Sequence, residues 1–493
     1  MLDVLSNRYT RTYWEKGLVC TLVETGVKRI TGIVAAWLIL LLMPWLPVVA
    51  QAENPRCDYQ ITVLHPEELN LSISATCHNQ TSARFHFSSL DSASYQYERK
   101  IENGQLAYKF KLGELAQANN NYRYAQKIGA ATLATVAAWL EIPDAPTDIY
   151  ITVVDSGGLK FTTGLKQHGE SWMIRSTDVN RSGYSLFGAF NTQKIAMDAH
   201  HSFVDATSDG QSMINVVDLR NQRKDSDEML KWIEDSSKAV AAYWHGFPVS
   251  ELLVVVVSVP GEGITYGRVM GGGGATMLLV VGGDSVVSEL YSEWVLIHEL
   301  LHLGTPFMAD SFWFMEGFAT YAEPIIRARM GWRSERSVWN EFYRDMPRGS
   351  FALTEEGLAN TRRGMYWGGA TFMLLADREL RRISNGEKGL EHCMRRILGY
   401  QGNITKRARL SRLLDYCDTE FSTSVFADLS ERYVHNASDL DLEELWTALG
   451  VKGGSQQVEL DDNAQEAMLR QSIVRGGGKE TIVMPEEAPD VFR

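Results

Sequence analysis

The chain has 493 residues, 45% of them hydrophobic and 22% charged, with a formal net charge of −13. That length and balance describe a globular protein with room for two or three domains and substantial cores. The acidic excess, with no long basic run and no interleaved basic-aromatic patch, argues against nucleic acid and anionic membrane surfaces as partners.

Residues 1–52 read as an export signal outside the fold. Lys28 and Arg29 precede an apolar run over 31–49, and Ala50-Gln51-Ala52 supplies an A-x-A cleavage pattern before Glu53. The run is nearly long enough to span a bilayer, so an uncleaved anchor with the protein facing outward is the competing reading. Pro44 and Pro47 near the end of the run, together with the A-x-A, favour cleavage after Ala52 and a periplasmic or secreted protein. The cysteines agree with export. Cys20 lies in the discarded segment, and Cys57–Cys77 with Cys393–Cys417 is the simplest of three pairings in an oxidising compartment.

From 53 to 224 the pattern is that of a β-rich domain. Residues 59–64, 69–74 and 147–154 alternate apolar and polar side chains as half-buried strands do. One helical interruption is expected over 128–140, rich in Ala and Leu. His200 and His201 are adjacent and so point to different sides of regular structure, which suits a solvent-facing or loop role.

A second domain is expected over 225–450. Residues 227–243 show helical spacing, with Met229, Trp232, Ile233, Val240 and Tyr243 on the apolar side. Residues 252–257 form a continuous β-branched run typical of a strand covered on both faces. Gly271 to Gly274 lead into another strand. Their bare backbone makes Gly272, Gly273, Gly274 and Ala275 the expected place for an extended peptide to add as a strand.

His298-Glu299-Leu300-Leu301-His302 follows, an H-E-x-x-H inside an apolar run. On a helix, residues four apart share a face, so His298 and His302 can offer imidazole nitrogens to one ion, with Glu299 free to handle a water proton. A catalytic zinc takes three protein ligands, and Glu316, near the start of the next predicted helix, is the natural third. The first helix is expected over 288–303, closed by Gly304 as a left-handed cap. The second starts near Asp310 or Ser311 and runs to about Met330, kinked at Pro324. Glu323 lies two turns beyond Glu316 and is expected to accept the second ring N–H of a ligand histidine. Helices follow to Gly450, and 451–493 turns polar and acidic, as a mobile tail would.

H-E-x-x-H followed by Glu316-Gly317-Phe318-Ala319-Thr320-Tyr321 resembles the signature of the gluzincin metallopeptidases. Within them the chain is most similar to the glycyl-aminopeptidase branch and the related alanyl-type aminopeptidases. Tyr366-Trp367-Gly368-Gly369-Ala370 is similar to the Y-x-K-G-A opening of the helix that bears their catalytic tyrosine. The likeness covers about 58–451 and is strongest in its motifs from 270 to 390. It implies one Zn2+ on His298, His302 and Glu316, Glu299 as general base, and Tyr366 as a hydrogen-bond donor to the tetrahedral oxyanion. The chain departs from the pattern in three ways. Only 13 residues separate His302 from Glu316, Gly368 stands at the lysine, and no carboxylate lies near Gly274 and Ala275, where those aminopeptidases hold the substrate amine.

The expected fold is therefore α+β: a β-rich N-terminal domain, then a thermolysin-like zinc peptidase domain with a helical C-terminal part. The expected activity is hydrolysis of peptide bonds in a peptide or protein substrate, as an aminopeptidase by resemblance. An endopeptidase on the same site, a zinc amide hydrolase of the cell envelope and a non-catalytic peptide-binding envelope protein are the alternatives. The sequence assigns no oligomeric state.

Overall fold

The computed structural model describes residues 55–78, 84–202, 210–220, 224–350, 353, 355–436 and 439–476. The expected export segment 1–52 lies outside them. Among the described residues, no helix is long and apolar enough to cross a membrane.

The alternating runs at the start of the chain become the centre of a seven-stranded sheet. Arg56–His65 pairs antiparallel with Asn70–His78 and parallel with Asp148–Asp155. Cys57 stands opposite Cys77 in that register, and the two form a disulfide; Cys393 and Cys417 form a second. A four-stranded sheet completes this lobe and includes Ala125–Ile128, Ala131–Thr135 and Tyr184–Gly188. The helix expected over 128–140 is thus a hairpin followed by one helical turn, Val136–Trp139. Alanine and leucine favour helix, but Ala131–Thr135 is buried throughout and pairs with Tyr184–Gly188, so packing overrides propensity.

The second lobe is built on a five-stranded sheet: β1 (Gln193–Asp198), β2 (Gln211–Asp218), β3 (Glu251–Val259), β4 (Ile264–Met270) and β5 (Ala275–Gly282), in the spatial order β1-β2-β3-β5-β4. The sheet takes β1 and β2 from the region assigned above to the β-rich domain, so the boundary moves from 224 to between Gly188 and Gln193. The continuous run in β3 is explained by two covered faces. Leu252, Val254 and Val256 pack toward the helices, while Leu253, Val255 and Val257 pack with Leu133, Tyr184 and Leu186 of the N-terminal lobe. Strand β4, antiparallel to β5, is the last strand of the sheet, and its other edge has no strand partner among the described residues.

The helices of eight or more residues described in this lobe are α1 (Ser226–Trp244), α2 (Val295–His302), α3 (Phe312–Arg329), α4 (Glu335–Asp345), α5 (Gly369–Ile383), α6 (Leu390–Gln401), α7 (Leu410–Phe421), α8 (Leu442–Leu449) and α9 (Ala467–Arg475). Residues 287–292, expected as the first turns of the H-E-x-x-H helix, form a separate 3-10 turn. Gly304 does not adopt the left-handed conformation expected of it. A Cβ there would stand 2.3 Å from the Trp244 ring, so close packing against α1 explains the glycine.

The mobile tail expected from 451 is corrected as far as Gly476. Val451–Lys452 pairs with Glu459–Leu460, and α9 buries Ala467, Arg470, Ile473 and Val474 on one face. Arg329 of α3 donates to the carbonyls of Ile473 and Val474 at 2.9 and 3.1 Å. The segment is polar by composition, but its few apolar residues recur at helical spacing. Residues 477–493 lie outside the described residues.

Candidate metal centre

Helices α2 and α3 pack side by side, and their facing ridges bring together His298, His302 and Glu316. One donor atom from each lies within 4.8 Å of the others. His298 Nε2 is 3.0 Å from Glu316 Oε2, and His302 Nε2 is 3.5 Å from the same oxygen. Around a tetrahedral zinc with bonds near 2.0–2.1 Å, ligand atoms stand about 3.3 Å apart. The spacing and the donor set therefore fit one zinc ion.

The electrostatics point the same way. Burial alone would raise the Glu316 carboxyl, but the charge of His302 and hydrogen bonds from both imidazoles hold it well below the usual carboxylate range. Burial likewise disfavours a charged His302, yet Glu316 wins and raises it.

Glu299 follows His298 on α2 and turns toward the free edge of the sheet. Val269 of β4 donates its backbone N–H to Glu299 Oε2 at 2.8 Å. Burial raises the Glu299 carboxyl, with the two histidines opposing and Glu316 adding to the rise. Gly267 makes the approach possible. A Cβ there would be 2.5 Å from Val295 Cγ1 and 2.8 Å from Glu299 Cγ. A glycine inside a strand run is a sign of close backbone approach, and it was present in the sequence.

Tyr366 lies in a π-helical turn, Gly364–Gly368, that opens α5. Its ring is stacked with that of His298, with centroids 5.9 Å apart and planes within 12°. Burial and the negative charge of nearby Glu316 push the phenol up, so it remains a proton donor at neutral pH.

Two expectations fail here. Glu323 does not meet a ligand histidine; it forms an ion pair with Arg327 one turn on. Seven residues keep the same helix face but move about 10 Å along the axis, past the histidines. The Nδ1 atoms of His298 and His302 have no hydrogen-bond partner among the described residues. The glycine run is not an open edge either. Gly272 donates its N–H to the Arg181 carbonyl at 2.8 Å, Lys166 donates its N–H to the Gly273 carbonyl at 2.7 Å, and a Cβ on Gly274 would meet the Gly164 carbonyl at 1.9 Å. The N-terminal lobe occupies that backbone. Among the described residues, the free edge beside the His298–His302–Glu316 cluster is β4, the strand before the run.

His200 and His201 lie outside the strands, as the loop alternative has it; His201 is exposed, but His200 is 1% exposed and so not solvent-facing.

Its fold has solved counterparts. The structure is similar to an aminopeptidase N family protein from Idiomarina loihiensis, with a TM-score of 0.56 and 14% identity, covering 80% of this chain and 78% of that one. A variant of an M1 zinc metallopeptidase from Deinococcus radiodurans, bound to a Tyr-Ser-Ala substrate, aligns with a TM-score of 0.47 and 13% identity over 79% of this chain and 95% of that one. No family profile matches the sequence, and no curated protein matches it.

Proposed function

We propose that the chain is an exported zinc-dependent peptidase. The convergence of His298, His302 and Glu316, with Glu299 beside them at the edge of a sheet, carries this reading. His298, His302 and Glu316 would hold one zinc, whose bound chemistry is to polarise a carbonyl and lower the pKa of water. The protein's own groups do the rest. Glu299, fixed by the Val269 N–H, takes a proton from the attacking water as the new C–O bond forms. It returns that proton to the departing nitrogen as the C–N bond breaks. Tyr366 donates its hydroxyl to the oxyanion of the tetrahedral intermediate. The disulfides Cys57–Cys77 and Cys393–Cys417 support an oxidising compartment.

The resemblance favours removal of N-terminal residues. A specific observation favours internal cleavage instead: β4, whose free edge adjoins Glu299, carries no carboxylate in Ile264–Met270 to hold a free amine. Incubation with unblocked and N-acetylated peptides, with and without chelator and the Glu299→Gln variant, tests both. Cleavage abolished by chelation and by the substitution is expected. Cleavage restricted to unblocked peptides assigns an aminopeptidase, and cleavage of blocked peptides an endopeptidase. Metal-independent cleavage, or none, would contradict the proposal.

A further inference from the structure

Trp294 is 45% exposed, a large apolar ring left in the open next to a buried metal-ligand cluster. It occupies the N-cap of α2 and makes no side-chain cap bond there. Its backbone there is already helical (φ −89°, ψ −24°), so the indole, not a cap, is what the position presents at the mouth of the helix.

Its position follows from helix geometry. Trp294, His298 and His302 are spaced four apart and form one ridge; Val295 and Glu299 form the next, against Gly267 of β4. The Trp294 ring stands edge-to-face with His298, centroids 5.0 Å apart and planes at 87°. Tyr366 is stacked with the same imidazole at 5.9 Å. Two aromatic rings therefore adjoin His298, and Trp294 carries the ligand ridge one turn beyond it, on the side away from His302.

Resting on the peptidase reading above, we infer that Trp294 is a specificity-determining residue: its ring is the wall on which a large apolar or aromatic substrate side chain, next to the bond being cut, packs. An extended substrate along the β4 edge, with its carbonyl at the His298–His302–Glu316 cluster, passes Trp294 one side chain away. An indole face could also attract a cationic side chain. The lysine peptide of the test separates that case from an apolar one.

The test uses the series X-Ala-Ala-Ala-Ala and N-acetyl-Ala-Ala-X-Ala-Ala, with X as Phe, Leu, Gly, Lys or Asp, so that X borders the cut for an aminopeptidase and for an endopeptidase alike, and locates each cut by mass spectrometry. The wild type is expected to cut on one constant side of X, with kcat/KM at least about tenfold higher for Phe and Leu than for Gly or Lys. Trp294→Ala should shrink the Phe-to-Gly ratio to about threefold or less with zinc content unchanged, and Trp294→Phe should restore most of it. Calorimetric binding of the Phe and Gly peptides to Glu299→Gln, with and without Trp294→Ala, gives a readout independent of turnover; the same loss of preference is expected. A wild type that cuts all five alike or prefers Lys overturns the inference, as does a Trp294→Ala variant whose preference is intact. Absence of any chelator-sensitive cleavage contradicts the peptidase reading instead, and the binding comparison then decides Trp294 alone: Phe-over-Gly binding lost with the indole supports it, and equal or absent binding overturns it.

Discussion

The backbone N–H of Val269 holds Glu299 Oε2 at 2.8 Å, tying the carboxylate proposed as the general base on α2 to the free edge of β4. The contact fixes one oxygen of Glu299 while the other stays available for chemistry. It also makes the last strand of the sheet part of the site.

Gly267→Ala tests that tie without touching a donor atom. The added Cβ meets Val295 and Glu299, so the carboxylate must move. We expect kcat to fall by up to about 10²-fold with zinc content unchanged, because a displacement of about 1 Å costs that much in a positioned reaction. Unchanged kcat would show that Glu299 does not depend on this strand.

Glu299→Gln removes the proton acceptor and keeps the shape. A loss of about 10²–10⁴-fold in kcat is expected, with zinc retained. Tyr366→Phe should lower kcat by about 10²–10³-fold with little change in KM, since its hydroxyl acts on charge that develops only in the transition state. Equal losses in kcat and zinc content would make Tyr366 a structural residue.

Much of the site was legible in the sequence because it depends on local spacing. His298 and His302 share a ridge through helix periodicity alone, and Glu316 follows from the next helix start. Glu323 was misplaced because a shared helix face says nothing of distance along the axis. The glycine run was misread because bare backbone invites any partner, and tertiary packing supplied the N-terminal lobe rather than a peptide. The hairpin at 125–135 and the packed helix α9 escaped for the related reason that burial comes from residues remote in sequence. The sheet beneath the site was clearer, since β3, covered on both faces, shows an unbroken apolar run.

Glu323→Gln separates the corrected assignment from the expected one. The carboxyl, pushed up to about 7 by burial against the opposing charge of Arg327, belongs to an ion pair away from the ligands. Zinc affinity of the variant should match the wild type within about twofold; a loss of 10-fold or more would return Glu323 to the ligand histidines.

His200 makes a prediction about acid stability. Burial, aided by His201, His245 and Arg395, lowers its pKa to about 4. The unfolded chain, with an ordinary histidine pKa near 6.5, then binds the extra proton between those values. Stability from this group is present above about pH 6.5 and is lost progressively as pH falls toward 4. Denaturant titrations should show a shallower loss over that window for His200→Asn than for the wild type. Parallel curves would show that His200 titrates normally.

The most direct measurement is the zinc content of the purified protein and three variants by elemental analysis. One zinc per chain is predicted for the wild type and for Glu299→Gln, with loss in His302→Ala and Glu316→Ala. A wild type without stoichiometric zinc after reconstitution, or ligand variants that retain it, would contradict the metal centre proposed for His298, His302 and Glu316.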